Sequence, residues 1–245
     1  MKKNLYYRYF ASELLKMRWS ILTFVVLIGP AISLWIGFGV PTKIEEDFNP
    51  WLWFFSLSAH KYTLFFYPLM IGVFAAFVCR YEHIGNGWNR LFSLPISRLQ
   101  IYLTKLAVVA LLALATQVCF LIGFLSVGSL QELTGPIPWG ILATKTIGGW
   151  IASFPLMALT LGCSLFWKNF AATFAFNVIF TIPSIVVTGA SLIGVWYPWS
   201  QPFLAIMPEH KWSAEVDPLF LTVGVLTTFL IFIASTSWAF VKRDW

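Results

Sequence analysis

Charged residues divide this chain into six long stretches that contain none: Trp19–Thr42, Tyr62–Cys79, Leu106–Gln131, Thr146–Trp167, Asn169–Pro208 and Pro218–Val241. Leu, Ile, Val, Phe and Ala dominate each stretch. A membrane-spanning helix needs about 20 such residues. In lipid the backbone must satisfy its own polar groups, so each stretch is predicted to be helical. A barrel would alternate polar and apolar positions, whereas these runs are continuous. Of the 245 residues, 59% are apolar and 11% charged, against about 45–50% and about 25% in soluble domains. Six spans leave only short connections, with no room for a sizeable soluble domain. These figures exclude a disordered chain, a nucleic-acid-binding domain and an ordinary cytosolic enzyme. The expected fold is an all-α integral membrane protein, one transmembrane domain over 1–245.

The expected spans are about 19–40, 62–79, 106–128, 146–166, 169–188 and 218–241, with a loop over 80–104. Gly189, Gly194, Pro198, Pro202 and Pro208 interrupt the long fifth stretch. One helix to about Thr188, then a broken, re-entrant hydrophobic segment over 189–217, is the expected arrangement before the last span. The other long connector, Pro41–Lys61, is read as an outer loop. Six spans put both termini on one side, together with twelve of the sixteen cations; Lys43, Lys61, Lys145 and Lys211 fall opposite. Positive charge favours the cytoplasmic side, so both termini are placed there. Residues 1–18 mix Lys2, Lys3, Arg8, Lys16 and Arg18 with Leu5, Tyr6, Tyr9, Phe10 and Leu14. That pattern predicts an interfacial helix on an anionic leaflet, or a plain basic anchor. The net charge of +6 is thus a topology signal and requires no nucleic acid.

Sequence motifs for enzyme chemistry are missing. No GxxxxGK[ST] exists to hold nucleotide phosphates. Gly85-Asn86-Gly87 opens a GxG, but Arg90 stands where the third glycine belongs. His60, His83 and His210 have no metal-ligand spacing, and Cys79, Cys119 and Cys163 form no CxxC pair. No catalytic, cofactor-binding or metal residue is therefore assigned, and the chain is not expected to be an enzyme. Few polar groups lie inside the spans, where they are costly and usually functional. Gln117 and Asn177 suit hydrogen bonds between helices or a place on a substrate path. Lys145, near a helix end, can snorkel outward. Trp196, Trp199 and Trp212 sit in the outer segment, where Trp anchors at the interface or contacts an amphiphilic ligand.

The loop over 80–104 is the most informative polar segment. Gly85 and Gly87 disfavour a continuous helix. Trp88, Leu91 and Phe92 then recur at the spacing of one helical face. Pro95 pushes Leu94 out of helical geometry, and Ser97 can cap the helix that carries Arg98 and Lys105 into the third span. A short helix with a projecting apolar face suits docking into another protein or lying on headgroups.

The string Glu82-His83-x-x-Asn86-x-Trp88-x-x-Leu91-x-x-Leu94-Pro95-Ile96-Ser97-Arg98, with Tyr102 and Lys105 beyond it, resembles the loop of ABC-2-type ABC transporter permeases. It is most similar to the short six-span branch that includes bacteriocin (lantibiotic) immunity and bacitracin-resistance permeases. The resemblance implies that Glu82, His83, Asn86, Trp88, Leu91 and Leu94 form a coupling surface for a separate cytoplasmic ATPase, with Pro95, Ser97 and Arg98 fixing re-entry. It implies two ATPase copies that hold the ATP and Mg, a second permease copy or a related permease, and a bacterial plasma membrane. The cargo would be an amphiphile: a peptide antibiotic, bacteriocin or lipid-like molecule. A self-contained carrier or channel and a non-transporting assembly factor remain the alternatives from the residues alone.

Overall fold

The structure, a computed structural model, describes residues 2–38, 49–84, 87–207 and 216–243. Its helices are α1 (Lys2–Leu15), α2 (Trp19–Phe38), α3 (Pro50–Lys61), α4 (Tyr67–Arg80), α5 (Gly87–Phe92), α6 (Arg98–Leu130), α7 (Trp139–Ala152), α8 (Phe154–Phe166), α9 (Phe170–Thr181), α10 (Ser184–Val187), α11 (Ser191–Gly194), α12 (Gln201–Ile206) and α13 (Pro218–Lys242). No strand occurs among the described residues. Six helical rods are long and apolar enough to cross a membrane: Trp19–Ile36, Pro50–Arg80, Arg98–Leu130, Trp139–Phe166, Phe170–Val187 and Pro218–Lys242. The all-helical, six-span expectation holds.

Three rods start earlier than the uncharged stretches do. The second starts at Pro50 rather than near Tyr62, so part of the expected outer loop is helix α3. Asn49 caps it, its side chain accepting from Trp51 N at 2.9 Å, and Pro50 occupies the first turn. Trp51, Phe54 and Phe55 are buried, while Lys61 points outward. The third rod includes Lys105, and the fourth starts at Trp139 instead of 146. A helix carries one charge easily when that side chain faces water or a counter-charge, so a charge need not mark a boundary.

Proline shapes the rods in lipid. Between α3 and α4 the chain forms a π-helical turn, Tyr62–Phe66, directly before Pro68. Pro68 has no N–H to donate and its ring crowds the carbonyl of Leu64. The wider turn relieves that crowding, and the Leu64 carbonyl instead accepts from Ser184 Oγ at 3.5 Å. Pro155 likewise separates α7 from α8 at Ser153, whose Oγ donates to Trp150 O at 2.6 Å and meets Tyr67 OH at 3.2 Å. The third rod ends on a left-handed residue, Glu132 (φ 53°), with Leu133 N donating to Gly128 O at 3.2 Å.

Helix α4 is the centre of the bundle, with Tyr67, Ile71, Phe74, Ala75, Val78 and Cys79 buried against α6, α8 and α9. Helix α2 packs on α6, and α8 on α13. Outward-facing Trp35, Ile122, Ile179, Val186, Leu219 and Leu230 remain exposed, as lipid-facing residues must. The segment before the last rod is broken, as expected, with α11 and α12 as its helical pieces among the described residues. Helix α12 is packed inward against α7, with Phe203, Ile206 and Met207 buried. Residues 208–215, with Trp212, lie outside the described residues.

Candidate functional site

The loop between the second and third rods is fastened to the bundle at every turn. Gly87 opens α5 where a Cβ would fall 2.7 Å from Glu82 Cα, so the close approach of the chain at this position requires glycine. His83 Nε2 lies 2.8 Å from Ser164 O, and Trp88 Nε1 donates to His83 Nδ1 at 3.2 Å. Since Nδ1 accepts, the proton sits on Nε2, which donates to the α8 carbonyl. Burial lowers the His83 pKa below its ordinary value, against the opposing hydrogen bond to Ser164, and keeps the ring neutral near pH 7. Trp88 and Leu91 are buried, with Trp88 edge-on to Phe240 of α13 at 5.5 Å. The apolar face of α5 is therefore turned into the protein, which corrects the projecting face expected from its spacing. The polar run around α5 could not reveal this, because the surface that covers Trp88 comes from the distant end of α13.

Ser97 and Gln100 form a reciprocal cap at the start of α6: Gln100 N donates to Ser97 Oγ at 3.2 Å and Ser97 N to Gln100 Oε1 at 3.0 Å. Arg98 Nη1 donates to the carbonyls of Val241 (2.7 Å) and Arg243 (2.9 Å), binding a cation to the end of α13. What the loop presents outward is Ile84, Asn89, Arg90, Ser93, Leu94 and Pro95. Asn86 lies outside the described residues.

Behind this surface is a feature the sequence did not announce. Lys105 is fully buried and its ammonium donates to Glu13 Oε2 at 2.9 Å and to the Val78 carbonyl at 2.9 Å. Glu82 Oε2 lies equally close at 2.9 Å but off the direction of a hydrogen bond, so that contact is an ion pair. Lys16 closes the cluster, 2.6 Å from Glu13 Oε1 and 3.4 Å from Glu82 Oε1. Burial would raise the Glu13 pKa, but the Lys105 and Lys16 ammonium groups outweigh it and hold the carboxyl below its ordinary range. Two carboxylates and two ammonium groups neutralise one another where none could sit alone. They tie three elements together: α1, the loop after α4, and α6. Glu82, expected on a docking surface, is instead a buried strut beneath it. The signal that could have found the cluster is Glu13, an acid among the apolar residues of the N-terminal helix, taken together with Lys105 at the entry to the third span. Between Lys16, Glu82, Arg90, Leu91 and Leu94 a cleft of about 240 Å³ opens to the surface.

Of the described residues expected on a substrate path, Gln117, Asn177 and Trp199 are buried between packed elements and Trp196 is exposed. Asn177 of α9 is fully buried; its Nδ2 donates to Pro68 O at 2.8 Å, and its Oδ1 accepts from Trp199 Nε1 at 2.7 Å. Gly72 leaves the space that the Asn177 amide fills. This knot joins α4, α9 and the broken segment, so Trp199 is a core residue rather than an interfacial anchor. Trp196 is 45% exposed and meets Phe220 edge-on at 6.1 Å. Gln117 is buried on α6 facing α7, its amide directed toward the Tyr67 hydroxyl. No group of His, Cys, Asp and Glu able to hold a metal ion occurs among the described residues.

Residues 9–184 match the family described as ABC-2 family transporter protein. Over 208 residues the chain is 23% identical to the bacitracin transport permease protein BCRB of Bacillus licheniformis, covering 84% of this chain and 95% of that protein. No solved structure matches the chain significantly.

Proposed function

Because the chain belongs to the ABC-2 transporter family, as a multi-pass membrane protein of permease type, we propose that it is the membrane-spanning subunit of an ATP-driven export or immunity complex. A separate ATPase pair supplies ATP hydrolysis and its Mg, and a second permease copy or a relative completes the pore. The loop end of the bundle, which gathers both chain ends and most cations, faces the cytoplasm, in keeping with the positive-inside rule. The cargo is an amphiphilic molecule. The peptide named in its relative, bacitracin, is the first candidate, with a bacteriocin or lipid-like molecule beside it.

The observation that supports this reading best is the anchoring of α5. Its inner face is locked to α8, α13 and the ion cluster, so a push on Arg90, Ser93 or Leu94 has no slack to take up before it reaches α4 and α6. The ATPase therefore docks on the outer face of α5 and at the mouth of the adjoining cleft, where Arg90 presents positive charge to an acidic partner surface. A helical permease with no nucleotide-binding motif of its own needs such a rigid input point.

Co-purification with the ATPase under mild extraction tests the proposal. Arg90→Glu and Leu94→Asp, both exposed, are expected to release the ATPase while leaving the melting temperature of the permease unchanged. The permease alone is expected to hydrolyse no ATP, and its deletion to raise bacitracin sensitivity. A chain that retains the ATPase equally in both variants refutes this docking surface.

A further inference from the structure

At the end of the bundle away from the ion cluster, α7, α12 and the start of α13 enclose an open groove of about 370 Å³. Its size lies within the range of small-molecule sites, about 300–1,000 Å³. Ile151, Phe203, Leu221 and Leu226 make its walls, and Lys145 is the sole charged residue among the described residues that line it. Thr222, its other polar side chain, already donates to Pro218 O at 2.8 Å. Lys145 is partly buried within the rod Trp139–Phe166 and makes no hydrogen bond or ion pair to any described residue. By contrast Lys105, inside the third rod, is matched by two carboxylates. A partly buried lysine left without a counter-charge beside an apolar groove marks a candidate site for an anionic ligand.

The depth and shape of the groove restrict its occupant. Lys145 lies six residues after Trp139, about 9 Å along the helix at 1.5 Å per residue. That places its ammonium near the boundary between headgroups and hydrocarbon rather than at mid-membrane. Gly148, one turn further in, lines the groove, and a Cβ there would meet no atom within 4 Å. Glycine inside a helix costs about 0.5–1 kcal/mol relative to alanine, and no neighbouring atom demands it here, so what the missing side chain provides is room. A cation at headgroup depth above an apolar trough is complementary to an anionic head with a hydrocarbon tail, the build of an anionic membrane lipid.

We infer that this groove binds an anionic membrane lipid, its phosphate held by Lys145 and one chain laid along Ile151 and Leu226. The site depends on the membrane reading alone and stands or falls independently of the ATPase. The test is native mass spectrometry of the full chain extracted from vesicles of equal phosphatidylglycerol and phosphatidylcholine. Retained lipid is expected to favour phosphatidylglycerol by about fivefold, the contribution of one lysine beside an anionic surface. Lys145→Gln is expected to abolish the preference and Lys145→Arg to keep it. Gly148→Leu, which fills the trough and leaves the charge, is expected to lose the bound lipid while folding normally. Inorganic phosphate is expected not to displace it. Equal retention of both lipids by the unaltered chain, an unchanged preference in Lys145→Gln, or retention in Gly148→Leu would each overturn the inference, as would full competition by inorganic phosphate.

Discussion

Replacing Lys105 by methionine keeps the length of the side chain and deletes the charge on which the cluster is centred. At 2.9 Å from each carboxylate, each Coulomb attraction is about 6 kcal/mol at an effective dielectric of about 20. Desolvating the ions offsets much of this, at several kcal/mol apiece, so the intact cluster adds little net stability. The deletion is different in kind. It leaves Glu13 and Glu82, both nearly inaccessible, sharing only Lys16, whose side chain is 39% exposed. Removing one partner of a buried ion pair costs about 3–5 kcal/mol. Lys105→Met is therefore expected to lose about that much in thermal or denaturant unfolding of the detergent-solubilised protein. The triple variant Glu13→Gln, Glu82→Gln, Lys105→Met, which removes the stranded charges as well, is expected to recover most of the loss. A Lys105→Met protein as stable as the unaltered chain would refute the reasoning. So would a triple variant as unstable as the single one, because the loss would then come from packing rather than from unpaired charge.

Four further outcomes follow from the same geometry. The Glu13 carboxyl is held below its ordinary value of 4.5, so its contribution to stability is complete above that pH and is lost as pH falls through the depressed value; in acid titrations of unfolding, Glu13→Gln should flatten that limb. Gly72→Ala sets a methyl group against the Asn177 amide and should cost about 1–3 kcal/mol, with Gly72→Ala/Asn177→Ala less harmful than the two single losses summed. Asn177→Ala strips the acceptor from Trp199 Nε1 and should cost about 0.6–1.7 kcal/mol, the range of hydrogen bonds between membrane helices; in a Trp199→Phe background, which lacks the donor, the Asn177 change should cost less, because only its bond to Pro68 O is left to lose. Trp88→Ala, often the first choice for testing a docking helix, should lower the melting temperature before it affects any partner, because Trp88 is buried against Phe240; unchanged melting with loss of the ATPase would restore it to the docking surface.

Local signals in the sequence proved readable wherever one stretch of chain contains the whole interaction. Ser97 caps α6 as its position before Arg98 implies, and Gln100, three residues on, completes the cap. The prolines and glycines between Thr188 and Pro208 break that segment for backbone reasons that need no neighbour. Helix α3 was missed because Lys61 was treated as a boundary, although an outward-facing lysine ends no helix. The face of α5 was read in the right period but the wrong direction: periodicity gives a stripe, and only a partner shows whether it points in or out.

The sequence by itself determined the solvent, the helices and the number of spans, because lipid acts on each segment separately: it demands length, apolar side chains and a self-satisfied backbone. Only the tertiary structure decided which scattered charges meet. Glu13, Glu82 and Lys105 lie on three elements far apart in the chain, and an ion pair depends on distances of a few ångströms that no local spacing encodes. The same physics separates Lys105 from Lys145. Packing brought two carboxylates to Lys105, whereas Lys145 was left facing an apolar groove with no described counter-charge, and nothing in their flanking residues tells them apart.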